Sequence, residues 1–166
     1  MQVTTPPWFL AACLAILAGC ASLDGHSLVA GKSTEAEVIA FMGAPAARIR
    51  RPDGDEVLYF ARHPEGRVCY AVIFGRNSVM KGIEQRLSRA NFAKILVGKS
   101  TRDQVRELIG PPSSVMHLQL KGRDVWQYPW LEFDEKRVLF VEFSADGLVI
   151  RVDEFHDQDS DRPSMN

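Results

Sequence analysis

The stretch LVAGKSTEAEVIAFMGAP, residues 28–45, returns as ILVGKSTRDQVRELIGPP at residues 95–112. Eighteen positions pair at an offset of 67, and seven are identical: Gly31/Gly98, Lys32/Lys99, Ser33/Ser100, Thr34/Thr101, Val38/Val105, Gly43/Gly110 and Pro45/Pro112. Average composition gives roughly one identity over such a span, so the chain carries an internal repeat. Each copy marks a short helix chemically. Thr34 with Glu37, and Thr101 with Gln104, are T-x-x-E/Q capping boxes, in which the two side chains satisfy amides that the first helical turn leaves without partners. Val38, Phe41 and Met42, and then Val105, Leu108 and Ile109, recur at i, i+3, i+4 and form one apolar face. Gly43 and Gly110 end the helices, and Pro45 and Pro112 prevent their continuation.

Outward from these helices the correspondence continues with small gaps. Val57-Leu58-Tyr59-Phe60 lies on Val125-Trp126-Gln127-Tyr128, Val72-Ile73-Phe74 on Val141-Glu142-Phe143, and Asn77-Ser78-Val79 on Asp146-Gly147-Leu148. These segments are rich in β-branched and aromatic residues and are broken by turn signals at Asp53-Gly54, Glu65-Gly66, Arg76-Asn77 and Lys121-Gly122, which predicts antiparallel strands. Asp146-Gly147 between two such runs is a hairpin signal. A further short helix is predicted over Asn91–Leu96, with Phe92, Ile95 and Leu96 on one face, and a counterpart near Leu23–Val29. The fold expected is α+β: two tandem units, each of two short helices followed by a three- to four-stranded antiparallel sheet, at 20–90 and 91–156. Residues 157–166 are too polar to pack and read as a tail.

The N-terminus is a segment apart. Residues 1–19 contain no charged side chain, and Trp8 to Ala18 is an unbroken apolar run. Its eleven residues suit a signal-peptide core of about seven to fifteen and fall short of the roughly twenty that span a bilayer. Leu17-Ala18-Gly19-Cys20 resembles the lipobox of bacterial lipoproteins. The resemblance implies cleavage between Gly19 and Cys20, a lipid on the Cys20 thiol and an acylated new amine. Several acyl chains together anchor a protein firmly. Ala21 after the cysteine implies sorting to the outer membrane, facing the periplasm. The segment before the apolar run departs from the pattern in lacking Lys and Arg.

The pattern G-[KM]-[ST]-T-x-x-x-V-x-x-x-x-G-x-P, then a W-x-Y strand and a V-x-F hairpin, resembles the SmpA/OmlA (BamE-like) family of outer-membrane lipoproteins. Gly98, Thr101, Val105, Gly110, Pro112, Trp126 and Tyr128 fall on the motif, while the first copy has Leu58 and Phe60 at the aromatic positions; both copies have Lys where the family usually has Met. Paired copies of such a unit resemble the β-lactamase inhibitor protein fold. The resemblance implies a lipid-anchored, non-catalytic protein-binding accessory in envelope and outer-membrane protein assembly, with the β-barrel assembly machinery as the candidate partner. An inhibitor or regulator of a periplasmic enzyme is the alternative.

No chemistry-bearing constellation competes with that reading. Gly31-Lys32-Ser33 and Gly98-Lys99-Ser100 mimic the end of a P-loop, but the first glycine of that motif is missing, with His26 and Ala93 in its place, so no nucleotide is expected. A net charge of −1 gives no footprint for nucleic acid. His26, His63, His117 and His156 lack a second ligand at metal spacing, and no metal or cofactor is expected. Cys69 between Val68 and Tyr70 reads as a small core residue with no base beside it. Trp126, Tyr128 and Trp130 alternate and share one strand face. Trp126 and Tyr128 are expected to pack on the helices. Trp130, whose counterpart is Arg62, is expected to be partly exposed and, with its two neighbours, supplies the candidate partner-binding surface.

Overall fold

In this computed structural model the described residues are 28–62 and 66–157. The export segment, Cys20, His26, His63 and the start of the expected helix at Leu23–Val29 lie outside them. The chain forms α1 (Glu35–Met42), β1 (Ala47–Arg50), β2 (Glu56–Ala61), β3 (Cys69–Phe74) and β4 (Met80–Gln85). It continues with α2 (Arg89–Phe92), α3 (Arg102–Ile109), β5 (Ser114–Leu118), a 3-10 turn at Gln119–Lys121, β6 (Arg123–Glu132), β7 (Glu135–Phe143) and β8 (Val149–His156). The result is mostly β: two four-stranded antiparallel sheets in the order β1-β2-β3-β4 and β5-β6-β7-β8, with a few short helices. Among the described residues no helix is long and apolar enough to cross a membrane.

Both capping boxes form. Thr34 Oγ1 accepts from the Glu37 amide and Glu37 Oε2 from the Thr34 amide (2.8 Å); Thr101 Oγ1 accepts from the Gln104 amide and Gln104 Oε1 from the Thr101 amide (3.0 Å). The Gly-Lys-Ser stretches have a structural use. The Gly31 and Gly98 amides donate to the Met80 and Val149 carbonyls (2.8 and 2.7 Å), pinning each loop to the last strand of a sheet. The Ser33 and Ser100 hydroxyls accept from the Val29 and Leu96 amides (3.0 and 2.9 Å).

Side-chain alternation gives each strand two faces, and they pack in layers. Leu58, Phe60, Val72 and Phe74 of the first sheet meet Val38 and Met42 of α1. The opposite face, with Val57, Tyr59, Cys69 and Ala71, shares one larger core with Val105 and Ile109 of α3 and with Trp126, Tyr128, Leu139, Val141 and Phe143 of the second sheet. The order is therefore α1, first sheet, α3, second sheet. Tyr59 and Tyr128 clasp α3 from its two sides: their hydroxyls donate to the Glu107 carbonyl (2.5 Å) and the Gly110 carbonyl (3.2 Å). The close approach needs a glycine at 110, because a Cβ there would collide with Cys69 Sγ and press on the Tyr59 ring (3.2 Å).

Two expectations need correction. The helix before α3 is Arg89–Phe92, not Asn91–Leu96, because the chain tightens after Phe92 into three-residue turns (Lys94 amide to Asn91 carbonyl, Ile95 amide to Phe92 carbonyl, both 3.0 Å). Leu96 is thereby turned outward, while Ile95 is buried. Asp157 does not belong to a free tail: its amide donates to the Lys136 carbonyl (2.9 Å) and its carboxylate pairs with Arg67.

Candidate functional site

Strand β6 positions the three aromatics read from the sequence. Trp126, Tyr128 and Trp130 do share a face, and all three are buried, at 3%, 0% and 3% exposure. Trp126 packs on Phe143 (ring centroids 4.7 Å apart) and lies under the Arg106 guanidinium (5.2 Å). Partial exposure of Trp130 is overturned. Its ring meets Phe92 edge to face (4.8 Å, 85°), and the Arg89 guanidinium covers it at 5.6 Å. Arg89 is in turn held by Glu132 and Glu154, and Arg137 joins the same two carboxylates. The hydrogen bond from Arg89 holds the Glu132 carboxyl below the usual carboxylate range. The Arg62 counterpart could not announce this cover, which arrives from α2.

With these rings turned inward, the other face of β5–β8 is the one left without a helix on it among the described residues. Met116, Val125, Leu131, Phe140 and Phe155 lie on it by alternation and register, around the buried Pro129 and Val138. Met116, Leu131 and Phe155 are 60%, 43% and 54% exposed, and Phe140 touches Phe155 (ring centroids 6.0 Å apart). Two ion pairs on the same face flank the apolar residues, Arg123–Glu142 (3.0 Å) and Arg151–Asp153 (2.5 Å). The equivalent face of the first sheet is covered by α3. Equivalence follows from the hydrogen bonds: the Ala46 amide donates to the Tyr59 carbonyl (2.7 Å), and the Ser113 amide donates to the Gln127 carbonyl (2.9 Å). Period-two alternation in β6 could have marked this face, since the inward Trp and Tyr leave Val125, Pro129 and Leu131 opposite.

Burial pushes the Cys69 thiol up to about 12, and the Tyr59 phenol likewise. His117 Nδ1 lies 2.6 Å from Asp124, whose carboxyl is lowered by that hydrogen bond and by Arg102. Among the described residues no group of three or more His, Cys, Asp or Glu side chains could hold a metal.

The family model described as the outer membrane protein assembly factor BamE domain matches residues 86–153, which run from the end of β4 to within β8. This stretch is similar to the BamE family. The outer face of β5–β8 lies within it except for Phe155. No curated protein matches the chain. A solved structure of a DUF4309 family protein (YjgB) from Bacillus subtilis is 16% identical, with 80% of this chain and 84% of that chain covered, at a TM-score of 0.31.

Proposed function

We propose that this chain is a lipid-anchored, non-catalytic accessory of outer-membrane protein assembly that docks an apolar helix of an envelope protein on the outer face of β5–β8. The observation that carries the reading is the coincidence of the BamE-domain match with that open face. The helix as occupant follows from the first sheet, where the equivalent face receives α3. Exposed aromatic and aliphatic anchors with charged pairs around them have the make-up of an interface centre and rim.

Two finer statements belong to the same proposal. The chain is two copies of one unit, 20–90 and 91–156, of which the second has kept the open face and the first serves to support it. Recurring features favour this: matching capping boxes, the bridges Thr34–Val79 and Thr101–Leu148, and register shifts at Ile73/Phe74 and Glu142/Phe143. Cleavage after Gly19 and lipidation of Cys20 hold the protein at the outer membrane, facing the periplasm.

Crosslinking in cells followed by co-purification tests the partner. β-barrel assembly components should be captured by the wild type and lost with Phe155→Asp or Leu131→Asp, at unchanged melting temperature. Capture of a single soluble enzyme instead would favour an inhibitor. Cys20→Ser should move the protein from the membrane to the soluble fraction; retention in the membrane would defeat the anchor.

A further inference from the structure

A cleft of about 470 Å³ opens where the first sheet meets the segment running from α2 into α3. That volume lies in the range of small-molecule sites, roughly 300–1,000 Å³. Its walls carry four cations, Arg51, Arg86, Lys94 and Lys99, against one carboxylate, Glu107. Glu107 is already engaged by Arg51 (3.1 Å), and Lys94 reaches the neutral side chain of Asn91 (2.9 Å). Lys99 is exposed and enters no ion pair among the described residues.

Arg86 decides what the cleft is for. Its side chain is only 9% exposed; among the described residues its one carboxylate partner is the half-exposed Glu84 (3.1 Å), and its buried Nε has no hydrogen-bond partner. A guanidinium presents five N–H donors in a planar fork, and a buried charge is costly until it is paired and hydrogen-bonded. The charge is felt by the core, where it opposes the rise that burial imposes on Tyr59 and Cys69. The fold does not require it. The register that pairs Cys69 with Arg86 pairs Val138 with Phe155, so phenylalanine occupies the equivalent place in the second sheet. Arg51 is likewise replaced by Leu118 at the equivalent position of β5.

We infer that this cleft binds a small organic oxyanion bearing two or more negative charges, as phosphate or carboxylate groups. The fork of Arg86 and the ammonium groups of Lys94 and Lys99 take the charged end. Ser100, whose oxygen accepts from Leu96, and Gln104, whose Oε1 accepts from Thr101, keep a hydroxyl proton and an amide NH2 to donate from the same wall. Leu96 and Leu108 line the remainder and suit a short apolar portion.

Calorimetric titration of the purified full chain at low ionic strength, with inorganic phosphate, pyrophosphate and citrate as probes, tests this. At least one probe should bind one per chain and raise the melting temperature, while chloride and acetate do neither. Lys99→Ala and Arg86→Met should each weaken binding by about tenfold or more, and Arg50→Ala, which alters an exposed arginine outside the cleft, should leave it unchanged. Should Arg86→Met fail to fold, Lys99→Ala and Arg51→Leu decide. Absence of stoichiometric binding by all three probes, binding untouched by Lys99→Ala, or an equal loss with Arg50→Ala overturns the inference.

Discussion

Gly43 and Gly110 hold the same place after their helices, with φ of +88° and +86° and nearly extended ψ, a region that side chains other than glycine avoid. Their surroundings differ. A Cβ on Gly43 meets nothing within 4 Å, whereas one on Gly110 runs into Cys69 and Tyr59. Gly43→Ala should therefore cost only the backbone strain, about 1–3 kcal/mol. Gly110→Ala should add an overpacking cost of about 1–3 kcal/mol; urea denaturation of the two variants reads the difference, and equal losses would remove the close approach. Trp130→Ala should destabilise by about 3–5 kcal/mol in the same assay, as a large core truncation does. At this scale the sequence was legible wherever the signal was local. The turn glycines, the capping threonines and the shared face of Trp126, Tyr128 and Trp130 follow from spacing alone, but the burial of Trp130 rests on Phe92 and Arg89, brought over it only by tertiary folding.

Among the elements, α1 and α3 begin with the same device built from different chemistry. Glu37 closes the box on α1, and its carboxyl is held below the usual carboxylate range by hydrogen bonds from the Thr34 amide and hydroxyl. A carboxyl depressed in the folded state contributes stability that is present above its unfolded pKa and lost as pH falls through its folded pKa. Gln104 closes the box on α3 and does not titrate. Acidification should therefore lower the protection of the Thr34 amide against exchange, measured relative to its intrinsic rate, and leave that of the Thr101 amide unaffected, and Glu37→Gln should abolish the difference. Thr101→Ala should cost about 1 kcal/mol at any pH, measured by denaturation. The two capped helices and the antiparallel strands were readable because capping, periodicity and turn residues agree. The bounds of α2 were not, since its apolar residues fit a helix or a chain of tight turns equally well.

Across the whole molecule, a single core draws on both sheets and on α3 between them. Heating should accordingly give one calorimetric transition, with calorimetric and van't Hoff enthalpies equal; two separated transitions would mean the halves fold independently. The repeat was plain in the sequence, but its stacking was not, because nothing local distinguishes a strand face that meets its own helix from one that meets the next. The cationic cleft was hidden for the same reason, since Arg51 and Arg86 are joined to Lys94 and Lys99 only by that stacking. The stacking also has a direction. Leu28, where the described chain begins, packs on the α1 side, and the open face of β5–β8 lies at the far end, about three layer spacings or roughly 30 Å away. Under the proposed attachment at Cys20, the first half of the chain would act as a stand-off. Such a stand-off would set how far from the bilayer a partner is met, and shortening it would draw the proposed docking face back toward the lipid without changing a single contact residue.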